Sequence, residues 1–223
     1  MKKIVIFGSG SQAKVIFQEI VKEKKFQLLG FIDEEKKIGN IVTTYKKKNY
    51  RIIGSISSVI KKKNRFSGII GIGLNSLRKK VHNKIRKIDK NFKFEKLISK
   101  DAIVNYNVSI GEGSVIISGS VININTVIGK HCIVNTSSSI DHDNVLDDFS
   151  SIGPGVITGG YVKIKSKSHI GIGSVIKNHI VIEESVVVGS NSFVNKNCKK
   201  NQIYFGSPAR KIRKIKKNEN YLV

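Results

Sequence analysis

The sequence predicts an α/β, Rossmann-like half domain followed by an all-β parallel β-helix. Two patterns lead to this: a strand, glycine turn and helix alternation over residues 2 to about 98, and an unbroken six-residue period of aliphatic side chains over residues 102–197. With 39% apolar residues in a chain of 223, there is enough material for both cores.

The six-residue period is the stronger signal. From Val104 in steps of six, the chain gives Ile110, Ile116, Ile122, Ile128, Val134, Ile140, Leu146, Ile152, Thr158, Ile164, Ile170, Ile176, Ile182, Val188 and Val194, all aliphatic except Thr158. Two residues before each, on the same side of a strand, the side chain is small or aliphatic almost throughout, as in Ala102, Ser114, Thr126, Cys132, Ser138 and Ser150. One residue after stand turn formers such as Asn105, Gly111, Asn123, Gly129, Asn135, Asp141, Gly153 and Gly171. A short strand and a turn every six residues describe a three-sided solenoid. Each coil then takes eighteen residues, and coils stack at the ~4.8 Å spacing of paired strands. A β-sandwich would space its turns at ~8–12 residues and vary them.

The N-terminal third alternates apolar runs with helical spacing. Lys3–Phe7, Gln27–Ile32 and Gly68–Ile72 read as strands, and Ser11–Glu23, Ser57–Lys63 and Asn75–Ile88 as helices, which implies a parallel sheet. Between the first strand and helix lies Gly8-Ser9-Gly10-Ser11-Gln12-Ala13, a G-x-G-x-x-A pattern, with Asp33 after the second strand. Such glycines let backbone N–H groups and a helix N-terminus approach a diphosphate. Fewer than a hundred residues supply one βαβαβ half, so a single nucleotide diphosphate fits better than a dinucleotide. The expected boundaries are 1–98 for the nucleotide-binding half domain, 99–197 for the repeat and 198–223 for a basic C-terminal segment whose Lys211–Val223 forms a short helix or a frayed tail.

Lys plus Arg exceed Asp plus Glu by 40 − 16 = 24 charges. That surplus attracts phosphate-bearing molecules, nucleic acid or an anionic membrane surface. Only six of the basic residues are Arg, and the lysine clusters at 46–48, 61–63 and 211–217 lack interleaved aromatic residues, so a basic scaffold for nucleic acid or membrane is the weaker reading. Cys132 and Cys198 provide neither a disulfide framework nor a CxxC motif, which points to a reducing cytoplasm. No apolar run approaches the ~20 residues of a membrane span, and Lys2–Phe7 reads as a strand rather than part of a signal peptide.

The chain resembles the bacterial sugar acyltransferase family of hexapeptide-repeat proteins that includes UDP-4-amino-sugar N-acetyltransferases and sialic acid O-acetyltransferases. The resemblance rests on Ile6-Phe7-Gly8-Ser9-Gly10, Phe31-Ile32-Asp33-Glu34, Ile72-Gly73-Leu74-Asn75, the segment Asn135 to Asp143 and Gly206-Ser207-Pro208-Ala209-Arg210. It implies a left-handed β-helix and a homotrimer with acetyl-CoA between neighbouring subunits. It further implies that Gly8, Gly10 and Gln12 line the diphosphate of a nucleotide sugar, that Asp33, Glu34 and Gly73 approach its base and ribose, and that Asn135 assists the active site. The chain departs from its relatives at Gln12 and Ser151, where many carry His.

Acetyl transfer to a sugar amine requires a base for the amine proton and a donor for the thioester oxyanion. His142 is the candidate base. The resemblance assigns Asp143 as the carboxylate that orients it, leaving Asp141 as a turn residue. Since 142 + 18 = 160, Gly160 lies one coil above His142, where its N–H can approach the thioester; Gly153 and Gly171 are expected to line acetyl-CoA with it. No metal is required. His82, His131, His169 and His179 read as surface or packing residues. The expected activity is N-acetylation of a nucleotide-linked amino sugar in bacterial glycan biosynthesis, with O-acetylation of a sialic-acid-like sugar as the alternative.

Overall fold

The structure, a computed structural model, describes residues 1–60, 66–216 and 219–222. It divides into two compact units, Met1–Gly73 with Leu77–Leu97 and Leu74–Ser76 with Ile98–Val223.

The first unit contains β1 (Lys2–Phe7), α1 (Ser11–Glu23), β2 (Phe26–Ile32), β3 (Ile41–Tyr45), β4 (Lys48–Gly54), α2 (Ile56–Ile60), β5 (Ser67–Ile70) and α3 (Asn75–Ile88). The sheet order is β3-β4-β2-β1-β5, with β1, β2, β4 and β5 parallel. Ile4, Val5, Ile6 and Phe7 are fully buried, as a strand covered on both faces requires. Helix α1 buries Ala13, Ile16, Phe17 and Ile20, which recur at helical spacing.

Two features differ from the expectation. The antiparallel β3–β4 hairpin was not anticipated, and α2 begins at Ile56, one residue earlier than expected. Lysines 61–63, at the expected end of that helix, lie outside the described residues.

The second unit is a parallel β-helix. Its strands form sheets of six, five and eight members, and partners differ by eighteen residues: Val121 pairs with Ser139, which pairs with Ile157. The aliphatic column fills the interior, with Ile122, Ile140, Leu146, Ile152, Ile164 and Ile170 fully buried. Serines two positions earlier satisfy the turns. Ser114, Ser138 and Ser174, for example, donate to the carbonyls of Gly129, Gly153 and Gly189. Dry side-chain stacking and satisfied backbone groups thus occur at every step.

The solenoid does not stop at 197. Gln202–Phe205 pairs in parallel with Val187–Val188, and Gly206–Ala209 then turns the chain back so that Arg210–Lys214 pairs antiparallel with Gln202–Phe205. The start of the C-terminal segment is therefore a strand hairpin, neither helix nor frayed tail. Its exposed Arg210, Lys211, Arg213 and Lys214 keep the open sheet edge charged, which opposes pairing with another strand. Lys217, the last lysine of that cluster, is outside the described residues.

Glu184 joins neighbouring turns. Lys167 and Lys200 reach its two carboxylate oxygens at 2.6 and 2.7 Å and hold its pKa at about 2, below the ordinary 4.5. A depressed carboxylate pKa adds stability above its unfolded value, lost as pH falls through the folded one. Replacing Glu184 by Gln should therefore lower the melting temperature at pH 7. The difference from the unchanged chain should close between about pH 4.5 and about pH 2, as followed by circular dichroism.

Candidate active site

His142 lies at the corner between strand Ser139–Ile140 and strand Val145–Leu146. Its backbone is clamped on several sides. The His142 N–H donates to Asp141 Oδ1 at 2.8 Å, and its carbonyl accepts from the Tyr161 N–H at 3.2 Å. Fully buried Asn144 donates to the Asp141, His142 and Gly159 carbonyls at 2.6, 3.2 and 3.0 Å and accepts from the Val162 N–H.

Thr158, the exception in the aliphatic column, has a local task. The Asn123 and Gly159 N–H groups bond the carbonyls of Ile140 and Ile176 one coil on, whereas the Asp141 N–H bonds the Thr158 hydroxyl at 3.1 Å. The ladder thus changes acceptor at the residue before His142.

Two side-chain ladders converge on the same turn. Asn105 donates to Asn123, which donates to Asp141; Asn107 donates to Asn125, which donates to Asp143. Each rung spans eighteen residues. Asp143 Oδ2 lies 2.7 Å from His142 Nδ1, and the imidazole is 43% exposed. Its hydrogen bond with His142 is the chief cause that holds the Asp143 carboxyl below its ordinary range; burial opposes, and Asn125 and Tyr161 add to the lowering. The carboxylate thus stays ionised at neutral pH, able to orient the ring and stabilise an imidazolium.

Gly160 sits over the ring. A Cβ there would come 2.5 Å from His142 Cε1 and 2.6 Å from Nε2, so the glycine is required by the imidazole itself. Gly153 and Gly171 belong to a different corner, stacked with Asn135. Cβ atoms at these two would meet the next coil at 2.8 and 2.7 Å, so close backbone stacking accounts for both. The Asn135 N–H bonds the Ile152 carbonyl, and its own carbonyl accepts from the Ser120 and Ser138 hydroxyls. Within one chain, His142, Asp143 and Gly160 come together, while Asn135, Gly153 and Gly171 gather elsewhere.

The other histidines have separate surroundings. His131 is buried and stacked on Phe149, His169 Nδ1 lies 2.8 Å from the Ser151 hydroxyl, His179 is stacked on Tyr161, and His82 lies beside Phe94. Both cysteines are buried thiols; burial pushes the Cys198 thiol up to about 12, which removes it as a nucleophile at neutral pH.

In the first unit, Gly8, Gly10, Gln12 and Asp33 gather at the C-terminal ends of β1 and β2, where open α/β sheets bind ligands. Gly8 adopts φ +100 and has no room for a Cβ, which would lie 2.9 Å from Ile72. Gly10 precedes α1 without a side-chain cap, and nothing lies within 4 Å of where its Cβ would be. The amide Nε2 of Gln12 is shielded from solvent and has no hydrogen-bond partner among the described residues. Burial would raise the Asp33 pKa, but the Ser9 hydroxyl at 2.6 Å, the Glu35 and Lys36 N–H groups and the Lys36 charge hold it low. Glu34, which the resemblance assigns to the base and ribose, also has two contacts within the fold. It accepts from the Ile56 N–H at 2.7 Å, capping α2, and pairs with Lys84, so both of its oxygens have structural partners. The Gly73 carbonyl is likewise taken by buried Arg78, at 2.9 Å.

Residues 3–85 match the family model of the PglD N-terminal domain. Over 95% of its length the chain superposes on perosamine N-acetyltransferase from Caulobacter crescentus, a histidine-to-asparagine variant solved with CoA and GDP-perosamine, at 23% identity and TM-score 0.84, covering 97% of that chain. It superposes equally widely on the acetyltransferase domain of PglB from Neisseria gonorrhoeae in complex with acetyl coenzyme A, at 24% identity and TM-score 0.82, covering 99% of that chain. WeeI from Acinetobacter baumannii matches at 24% identity and TM-score 0.81, with 95% of this chain and all of that chain covered. No curated protein sequence matches the chain. The half domain followed by a left-handed β-helix is thereby established as the fold.

Asn144 is the residue on which the turn most depends. Replacement by Leu strips a hydrogen bond from three carbonyls and one N–H; the Asp141 and His142 carbonyls keep the Thr126 hydroxyl and the Tyr161 N–H, and each buried group left unsatisfied costs about 1–3 kcal/mol. The expected outcome is a clear loss of stability in urea titration, together with loss of whatever activity His142 supports.

Proposed function

Starting from a PglD-type N-terminal domain joined to the fold of sugar N-acetyltransferases, we propose that this chain transfers acetyl from acetyl-CoA to the amino group of a nucleotide-linked sugar. The observation that carries the reading is the His142–Asp143 pair, exposed at a solenoid corner beneath a glycine that leaves no space for a side chain. The neutral amine attacks the thioester carbonyl, and Nε2 of His142 takes the amine proton as the C–N bond forms. The carbon–sulfur bond then breaks, and the imidazolium returns a proton to the departing thiolate. Asp143 stabilises the imidazolium between these events. The Gly160 N–H is the proposed donor to the developing oxyanion.

The nucleotide is assigned to the glycine turn. The uncapped start of α1 and the open space at Gly10 suit a diphosphate, and the unpartnered Gln12 amide is a donor awaiting an acceptor. A UDP-4-amino sugar is the proposed acceptor, and the chain acts in bacterial glycan biosynthesis. Asp33, Glu34 and Gly73 are assigned to the nucleotide's base and ribose.

The separation of His142 from Asn135, Gly153 and Gly171 on different corners supports a site completed by a second copy. So does the outward column of the six-stranded sheet, where Ile103 and Ile157 are 58% and 50% exposed beside Val175 and Phe193. A homotrimer of this type joins one protomer's histidine corner to its neighbour's glycine corner. The reaction is expected in the cytoplasm, where acetyl-CoA is supplied; among the described residues no helix is long and apolar enough to cross a membrane.

Thiol release measured with acetyl-CoA and a panel of UDP-, GDP- and dTDP-linked amino sugars should reveal turnover with an amine and none with its hydroxyl counterpart. His142→Ala should lower kcat by ~10²–10⁴-fold, the range of general-base catalysis, while ligand-induced thermal shifts persist. Full turnover in that variant, or turnover only with CMP-linked or free nonulosonic acids, would overturn the proposal.

A further inference from the structure

We propose that Tyr161 is a positioning residue for His142, supported from above by His179, an inference that rests on His142 being the base. The eighteen-residue register places Tyr161 one coil above Asp143 and His179 one coil above Tyr161. The Tyr161 ring stands edge-on to the His142 imidazole, with centroids 5.2 Å apart and planes at 88°. His179 stacks on Tyr161 at 4.9 Å and 3°.

The imidazole is therefore bounded on three sides: Asp143 at Nδ1, the Gly160 backbone over Cε1 and Nε2, and the Tyr161 ring along its flank. Only a ring held in one orientation presents Nε2 to the same point at every turnover, and small misplacements of a catalytic group are costly in rate. The hydroxyl of Tyr161 also contributes to the low pKa of Asp143.

The backbone places these residues in one column. Asn107, Asn125, Asp143, Tyr161 and His179 occupy one corner column with φ between 54° and 60°. Asn and Asp tolerate this left-handed conformation, whereas bulky side chains rarely adopt it. The lower rungs use Asn; aromatic rings occupy the column only in the two coils above the His142–Asp143 pair. The same turn conformation recurs on another corner, where His131, Phe149 and Lys167 adopt φ between 53° and 62°, so what sets this column apart is its pair of rings and not its backbone. The titratable groups facing the imidazole are Asp141 and Asp143 from its own turn and Tyr161 and His179 from the coils above, while Asn123 and Asn125 below are neutral.

Steady-state kinetics on Tyr161→Ala, Tyr161→Phe and His179→Ala in the full chain test the role. Tyr161→Ala should lower kcat by ~10-fold with both KM values within ~2-fold, consistent with misorientation rather than lost binding. Tyr161→Phe, which keeps the ring, should recover most of kcat. His179→Ala should fall between them. Full kcat in Tyr161→Ala, or a raised KM with kcat unchanged, overturns the positioning role; if that variant does not fold, full kcat in Tyr161→Leu, which keeps bulk without the ring, does so instead. His142→Ala run alongside separates the two levels. Retained turnover there defeats the base assignment, whereas an inactive His142→Ala beside an unimpaired Tyr161→Ala defeats only the positioning role.

Discussion

From Ile103 to Val194 each strand of the solenoid pairs with the strand eighteen positions later, and this register is the constraint from which the site follows. Parallel pairing fixes it, and inward-facing aliphatic side chains make slippage unfavourable, because a one-residue slip would turn the stacked column outward. Once the register holds, side chains at one turn position form vertical columns. A polar residue in such a column can be satisfied by its own kind above and below, as Asn105, Asn123 and Asp141 are, and as Asn107, Asn125 and Asp143 are.

The chemistry at His142 is an exception written into those columns. The Asn ladders end in Asp141 and Asp143, so two carboxylates flank one histidine at the point where neutral amides give way to charge. Gly160 makes room for the ring, and Asn144 replaces the small or aliphatic side chain usual at its position to bind the turn's carbonyls. Thr158 takes the place of an aliphatic residue and receives the Asp141 N–H. A uniform scaffold thus becomes specific through a few substitutions within two adjacent coils.

The repeat was legible because aliphatic periodicity reports burial directly. The α/β alternation was legible for the same reason, and Ser11–Glu23 and Asn75–Ile88 form helices with the expected limits. The β3–β4 hairpin escaped notice because its two-residue turn is Lys46-Lys47, at φ 47° and 63°, where Asn or Gly is the usual signal. The terminal hairpin was obscured by its charge, since Arg210–Lys214 has no apolar alternation. At the site, His142 and Asp143 could be picked from the sequence, and Gly160 followed from adding eighteen. Thr158 and Asn144 were visible as breaks in their columns, although the break alone did not state a purpose. The contacts of Glu34 with the Ile56 N–H and Lys84 were not legible, because both partners are distant in sequence.

The same register divides the proposed machinery, setting the histidine and its glycine on one corner and Asn135 with its glycines on another. A single chain therefore holds both halves of a site apart, and assembly between copies would unite them. Mixing His142→Ala and Asn135→Ala proteins, each folded and inactive alone, under conditions that allow subunits to exchange tests this most directly. The account predicts that acetyl transfer returns on mixing, because some interfaces then pair an intact histidine corner with an intact asparagine corner. Mixed oligomers that form but stay inactive would contradict it.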